Sequence, residues 1–284
     1  MSEPRTPSPE SRTLAFIGGG NMARSLIGAQ LARGVSATSI RVAEPRVEAR
    51  EALAREFGVA VHADNAEAVA GADCVLLAVK PQVMRQVCES LAEPLRGTGT
   101  LVISIAAGIR IAQLERMLGA GHAIVRCMPN TPALVGAGAS GLCANRHVDD
   151  AQRALATRLL DAAGIVRWVD DEAQMDAVTA LSGSGPAYFF LLVEAMEDAA
   201  VELGLPRDTA RALAAQTCLG AGHMLADSDE TAAELRKRVT SPHGTTAAAL
   251  DVFEQGEFAA LVGRALTAAE QRGAEMSAEL DRAR

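Results

Sequence analysis

The residues TLAFI at 13–17 run directly into GGGNMARSL, and few folds accept that junction. A short apolar run leads into Gly18-x-Gly20-x-x-Ala23. Met22, Leu26, Ile27 and Leu31 then recur at helical spacing until Gly34. This reads as a strand, a tight turn and a helix. Gly18 permits the turn, Gly20 lets a pyrophosphate approach the backbone and the helix N-terminus, and Ala23 keeps the helix close to the sheet. A plain strand-to-helix turn is the competing reading of so short a pattern. The context favours a dinucleotide site, because a second strand, SIRVAE at 39–44, brings the carboxylate of Glu44 about twenty residues later.

The same alternation continues along the chain. Helix 46–57 closes at Gly58, strand 59–63 follows, and a short helix at 65–71 leads to CVLLAV at 74–79. That continuous apolar run suits a strand buried on both faces of a parallel sheet. A helix from Lys80, the strand LVISIAA at 101–107 and a helix at 110–118 come next. Strand-like HAIVRCMP, GASGLCAN and GIVRWV then accompany a helix at 150–163. Beyond 170 no convincing β run appears, only alanine- and leucine-rich segments at 172–181, 184–203, 207–227, 230–239, 245–254 and 257–280. The predicted fold class is therefore α/β: a doubly wound, Rossmann-like sheet domain over 13–170, then an all-helical domain over 171–284. Residues 1–12 are polar and proline-rich and read as a loose tail. Segment 184–203 is apolar nearly all round, which predicts burial against a second copy of the chain.

Composition narrows the function. A formal charge of −8 and 3% aromatics disfavour nucleic acid as a partner, since phosphates call for a basic surface and bases for stacking platforms. No apolar run is long enough to span a membrane or serve as a signal peptide, so the cytoplasm is expected. The five cysteines form no CxxC and the five histidines are scattered, so reduced thiols and no metal site are expected.

Three corners carry polar chemistry. AVKP, 78–81, ends a buried strand where such strands border a cofactor crevice, and Pro81 suits a helix start. SIAAG, 104–108, is a small-residue exit over which a flat nicotinamide ring can pass. RCMPNTPALVGAG, 126–138, sets Pro129 and Pro132 around Asn130 and Thr131 as a rigid corner. The coenzyme stays open between NADH and NADPH: Glu44 fits a ribose hydroxyl, whereas Arg46 can clamp a 2′-phosphate with Glu44 turned away.

FIGGGNMA, LAVKPQ, SIAAG, MPNTPALVG, DAVTALSGSGPAYFF and VTSPHGTT, in this order, resemble the pyrroline-5-carboxylate reductase family over about residues 13–275. The resemblance implies reduction of the cyclic imine L-1-pyrroline-5-carboxylate to L-proline by NADPH or NADH, the last step of proline biosynthesis. It implies homodimers through the C-terminal helices, often assembled further into decamers. On the cofactor side it implies Gly18, Gly20, Asn21 and Met22 at the pyrophosphate turn and Asn65 near the adenosine ribose. Ala78, Lys80 and Pro81 follow the cofactor, and Ala106, Ala107 and Asn130 lie by the nicotinamide. On the substrate side it implies Ser184, Gly185 and Pro186, with Ser241, Gly244, Thr245 and Thr246 around the carboxylate and imine, Thr246 bonding the ring nitrogen. His243 departs from the pattern, standing where the family commonly has a second glycine.

The side chains agree with an imine. A ketone reductase usually wants an acid to protonate an alkoxide, whereas these corners offer hydroxyls, amides and backbone N–H groups. An iminium already accepts hydride, and amides opening the helices after Gly244 and Gly185 can hold a carboxylate. Ser241 or Thr245 is expected to cap the later helix. Tyr188 reads as a packing residue, and His243 is either a general acid or a solvent-facing loop residue. A β-hydroxyacid dehydrogenase would need a catalytic lysine in the helical domain, where Lys237 is the only lysine and sits on a charged face. A non-enzymatic coenzyme sensor would have no use for the polar corners at Asn130 and Thr246.

Overall fold

The computed structural model describes residues 12–282, so the expected tail at 1–12 lies outside the described residues except for Arg12. Eight strands form one sheet: β1 Leu14–Ile17, β2 Ile40–Ala43, β3 Ala60–His62, β4 Cys74–Leu77, β5 Leu101–Ser104, β6 Ala123–Met128, β7 Gly138–Ala144 and β8 Gly164–Trp168. Their spatial order is β3-β2-β1-β4-β5-β6-β7-β8. The connecting helices are α1 Asn21–Ala32, α2 Val47–Phe57, α3 Asn65–Val69, α4 Met84–Ala92, α5 Ile111–Leu118 and α6 Asp150–Leu160.

Both faces of the sheet are covered, as the uninterrupted apolar strands require. Leu14, Phe16, Cys74 and Leu76 point to one face and meet Leu26, Ile27, Leu53 and Leu159. Ala15, Ile17, Val75 and Leu77 point to the other and meet Met84, Leu91, Leu114 and Leu118. This period of two places successive residues of one strand in two different cores.

Neighbouring strands are parallel except β6 and β7. The expected alternation of strand and helix is broken here. Only the 3-10 turn Thr131–Val135, closed by Gly136 at φ +73°, joins the two strands. That connection is too short for a crossover, so β7 returns antiparallel.

After β8 come α7 Gln174–Val178, a π-helical segment Thr179–Gly183, α8 Gly185–Glu202, α9 Arg207–Asp227, α10 Ala232–Arg238, α11 Thr245–Gln255 and α12 Phe258–Arg282. The compact units divide the chain elsewhere than at 170: one runs to Gly183 and resumes at Ala269, and the other is Ser184–Ala268. The reason is packing. Met175 enters the sheet's core, and the end of α12 lays Leu280 and Met276 against Gly108. Ser277 is buried there, and its carbonyl accepts from Gln113 Nε2 at 3.4 Å.

The helical unit buries little of its own apolar surface. Phe189, Phe190 and Leu191 on α8 are 59%, 69% and 65% exposed, and Leu213, Val252 and Leu261 stand out equally. Among the described residues no helix is long and apolar enough to cross a membrane.

Candidate active site

The sheet reverses its winding between β1 and β4, so a crevice opens beyond the C-terminal ends of those strands. Gly18 follows β1 at φ +95°, and a Cβ built on it would lie 2.6 Å from the carbonyl oxygen of Ala78, just past β4. Only glycine meets both demands. Gly20 caps α1 with φ −72° and ψ −179°, a conformation open to any residue, and a Cβ there meets no atom within 4 Å. Protein packing therefore does not explain this second glycine. No side chain caps the first-turn amides of α1. Gly20, Asn21, Met22, Ala78, Lys80 and Ile105 are among the residues that line a cleft of about 250 Å³. A glycine cradle against uncapped helix amides suits a dinucleotide's diphosphate.

The carboxylate after β2 faces inward. Glu44 is 5% exposed and accepts from the Gly19 amide at 3.2 Å, Arg46 Nε at 2.8 Å and the Arg46 amide at 3.2 Å. Burial pushes its pKa up, but the Arg46 guanidinium and these amides outweigh burial and hold the carboxyl below its ordinary value. Arg46 stays largely exposed, and Arg50 Nη1 clamps the loop through the carbonyls of Glu44 and Pro45. Asn65 opens α3, where Asp64 caps the Ala66 and Glu67 amides, and Asn65 Nδ2 donates to Ser90 Oγ at 3.1 Å.

Lys80 is exposed beside Pro81, which opens a 3-10 turn ahead of α4. Ala106 is buried and Ala107 half-buried in the loop after β5. Asn130 is nearly buried, and both ends of its amide are engaged: Oδ1 accepts from the Ala139 amide at 2.8 Å and Nδ2 donates to the Ser182 carbonyl at 3.0 Å. Its side chain braces the corner.

In the helical unit, Ser184 precedes α8, and Gly185 and Pro186 form its first turn. Gly244 is the N-cap of α11, and Thr245 and Thr246 are its first two residues. Neither Ser241 nor Thr245 caps that helix with its side chain, contrary to expectation. Ser241 instead offers its carbonyl to the Gly244 amide at 3.0 Å, closing the turn Ser241-Pro242-His243-Gly244. Lys237 is exposed in the last turn of α10.

The same turn accounts for His243. Its φ is +60°, and with Pro242 before it the segment carries the marks of a type II turn, whose third residue is normally glycine. Histidine is among the side chains that tolerate this region, at a cost of about 1 kcal/mol. We expect His243→Gly to leave Tm unchanged or slightly raised, with an unaltered pH–rate profile. A lost acidic or basic limb would restore the general-acid role.

Sequence reasoning missed Arg126, which is 4% exposed within the apolar strand β6. Its Nη1 lies 3.1 Å from Glu172 Oε1 and its Nη2 3.4 Å from Asp176 Oδ1. The signal was present, because a lone arginine in AIVRCM demands buried carboxylates. The thiols of Cys74, Cys88 and Cys127 are buried and pushed up to about 12, chiefly by burial, which leaves them inert near neutral pH.

Comparison with known proteins adds the following. A family model described as pyrroline-5-carboxylate reductase dimerisation matches residues 172–276, and one described as NADP oxidoreductase coenzyme F420-dependent matches 13–108. A pyrroline-5-carboxylate reductase of Pseudomonas aeruginosa is 55% identical over 280 residues, covering 99% of each chain. The solved pyrroline-5-carboxylate reductase of Coxiella burnetii superposes with a TM-score of 0.92 at 44% identity, covering 94% of this chain and 99% of the other. That of Plasmodium falciparum, solved with NADP bound, gives 0.82 at 32% identity, with the same coverage.

Proposed function

The chain belongs to the pyrroline-5-carboxylate reductase family and reduces L-1-pyrroline-5-carboxylate to L-proline with NAD(P)H, and from this premise we propose how its residues divide the work. The coenzyme's diphosphate is held by Gly18, Gly20, Asn21 and Met22 on the amides of α1, with Lys80 and Pro81 along the opposite lip. The observation that carries this half is the pair of glycines, one demanded by the backbone and one free of any protein neighbour. Asn65 serves the adenosine ribose, and Ala106 and Ala107 flank the nicotinamide, which supplies the hydride from C4 when bound.

The substrate side is assigned to Ser184, Gly185 and Pro186 at the start of α8 and to Ser241, Gly244, Thr245 and Thr246 at α11. Helix α11 begins without a side-chain cap, so its first amides and the helix dipole suit the substrate carboxylate. Thr246 Oγ1 accepts the N–H of the protonated ring and orients the C=N carbon for hydride. Nothing further has to be protonated, because the iminium becomes a secondary amine on hydride addition. Holding the reacting carbon within attack distance is the chief catalytic task.

NADPH is the preferred coenzyme in this reading. Glu44 is turned inward onto the Gly19 amide and one edge of the Arg46 guanidinium, and that guanidinium is exposed at the end of β2 with Arg50 on the same loop, a positive pair suited to a 2′-phosphate. The solved Plasmodium falciparum relative with NADP bound supports it. The test is a spectrophotometric assay of pyrroline-5-carboxylate reduction with NADPH and NADH in parallel. Arg46→Ala should raise KM for NADPH roughly tenfold, one charge-assisted phosphate contact, and leave that for NADH nearly unchanged. Equal changes would return the ribose to Glu44.

The working unit in this proposal is a homodimer joined through the C-terminal helices. The exposed Phe189, Phe190 and Leu191 face supports it, being far too apolar for a lone helix surface. A decamer built from such dimers rests on the family resemblance, and sedimentation of the intact protein distinguishes the two. Five free cysteines, none in a disulfide, fit a reducing, cytoplasmic setting.

A further inference from the structure

Three residues on one face of the β6 strand and its extension reach the same neighbour. Arg126, Met128 and Asn130 alternate along the chain, so they project to one side. Arg126 bridges Glu172, just ahead of α7, and Asp176 within it. The Met128 methyl group fills the space where a Cβ on Gly183 would stand, 2.5 Å away. Asn130 Nδ2 donates to the Ser182 carbonyl at 3.0 Å. One strand beyond, a Cβ on Gly141 would lie 2.4 Å from Val178 Cγ1.

The element gripped in this way is α7 and the π-helical segment Thr179–Gly183. A π turn gives up regular i to i−4 bonding and frequently marks a functional site. Here it ends at Gly183, and the next residue is Ser184. Glu172 extends the grip, because its Oε1 also accepts from the Ile111 amide at 2.8 Å, just after the loop that carries Ala106 and Ala107. One buried guanidinium therefore links the corner at 128–130, the nicotinamide-side loop through α5, and the segment from which the chain enters α8.

We propose that Arg126 is a positioning residue for hydride transfer, setting the π-helical segment Thr179–Gly183 that delivers Ser184–Pro186, with Met128 and Asn130 continuing its grip along the chain. This rests on the reading that Ser184–Pro186 serve the substrate. Arg126 touches neither substrate nor coenzyme in this role. It acts through geometry, and a displacement of about 1 Å at the reacting atoms costs up to roughly a hundredfold in rate. Lysine cannot replace it, because one ammonium point charge does not reproduce a fork spanning two carboxylates.

The test uses the full-length protein, comparing kcat, KM for pyrroline-5-carboxylate, Kd for NADPH and the primary isotope effect with 4-deuterated coenzyme. Arg126→Lys should lower kcat about 10- to 100-fold and enlarge the isotope effect, while Kd for NADPH stays within about twofold. Gly141→Ala should do the same by pushing α7 away through Val178, whose branched side chain cannot rotate clear of the added methyl group, and adding Val178→Ala should restore most of kcat. Unchanged kcat and KM in a folded Arg126→Lys variant would overturn the proposal. So would a parallel loss of NADPH affinity, which would mean that the sheet unit as a whole had loosened. Should Arg126→Lys fail to fold, the Gly141→Ala and Val178→Ala cycle decides alone, and absence of rescue counts against the proposal. Ser184→Ala separates the two levels. If it leaves KM unchanged, the substrate reading falls and this inference with it. If it raises KM while Arg126→Lys behaves as wild type, only the inference falls.

Discussion

Gly18→Ala should damage both the fold and the coenzyme site, whereas Gly20→Ala should damage the site alone. At Gly18 an added methyl group meets the Ala78 carbonyl at 2.6 Å while the backbone holds φ +95°. Neither conflict can be relieved by rotating a side chain, because the neighbour is main chain. A destabilisation of about 3 kcal/mol follows from forcing an L-residue into this region against a backbone clash, and Tm should fall by roughly 6–12 °C in a unit of this size. The turn must also shift from the N-terminus of α1, so Kd for NADPH should rise at least about tenfold. Gly20 has an ordinary φ of −72° and no atom within reach of a Cβ. Its alanine variant should melt within about 1 °C of the parent and still bind coenzyme more weakly. Thermal melts and coenzyme titrations of the two variants separate these effects. A Gly20→Ala protein with unchanged affinity would remove the diphosphate from this turn.

Thr246→Ala should abolish most of the turnover while sparing the fold. Thr246 is the second residue of α11 and half-buried. Alanine is the better helix former there, so stability should change by no more than about 0.5 kcal/mol. If the hydroxyl orients the ring nitrogen, kcat/KM for pyrroline-5-carboxylate should drop about 100-fold, the usual scale for one hydrogen bond at a developing charge. Thr246→Ser keeps the oxygen and should retain most activity. Circular dichroism and steady-state kinetics on both variants provide the check. Wild-type kcat/KM in a folded Thr246→Ala protein would exclude the residue from the chemistry.

Much of the coenzyme side was legible because it depends on backbone requirements written into residue type. Gly18 is readable as glycine because only glycine survives its φ and its approach to Ala78. The β4 strand is readable because a strand covered on both faces has no polar positions to interrupt it. The direction of Glu44 was not legible. Whether that carboxylate faces a ribose or the Gly19 amide depends on where Arg46 lies, a choice made by side-chain packing. His243 looked anomalous as a residue and became ordinary once its φ of +60° placed it in a turn position where glycine is merely preferred.

The sequence by itself determined the elements, the glycine cradle, the motif order that assigns the family, and the apolar helix that calls for a partner. Each depends on local periodicity or on a single residue's conformational range. The tertiary structure alone decided that β7 runs antiparallel, that the end of α12 belongs with the sheet unit, and that Arg126 spends its charge on Glu172 and Asp176. These depend on which distant groups meet. A buried charge announces only that it needs a partner, and the identity of that partner is settled when the chain has closed around it.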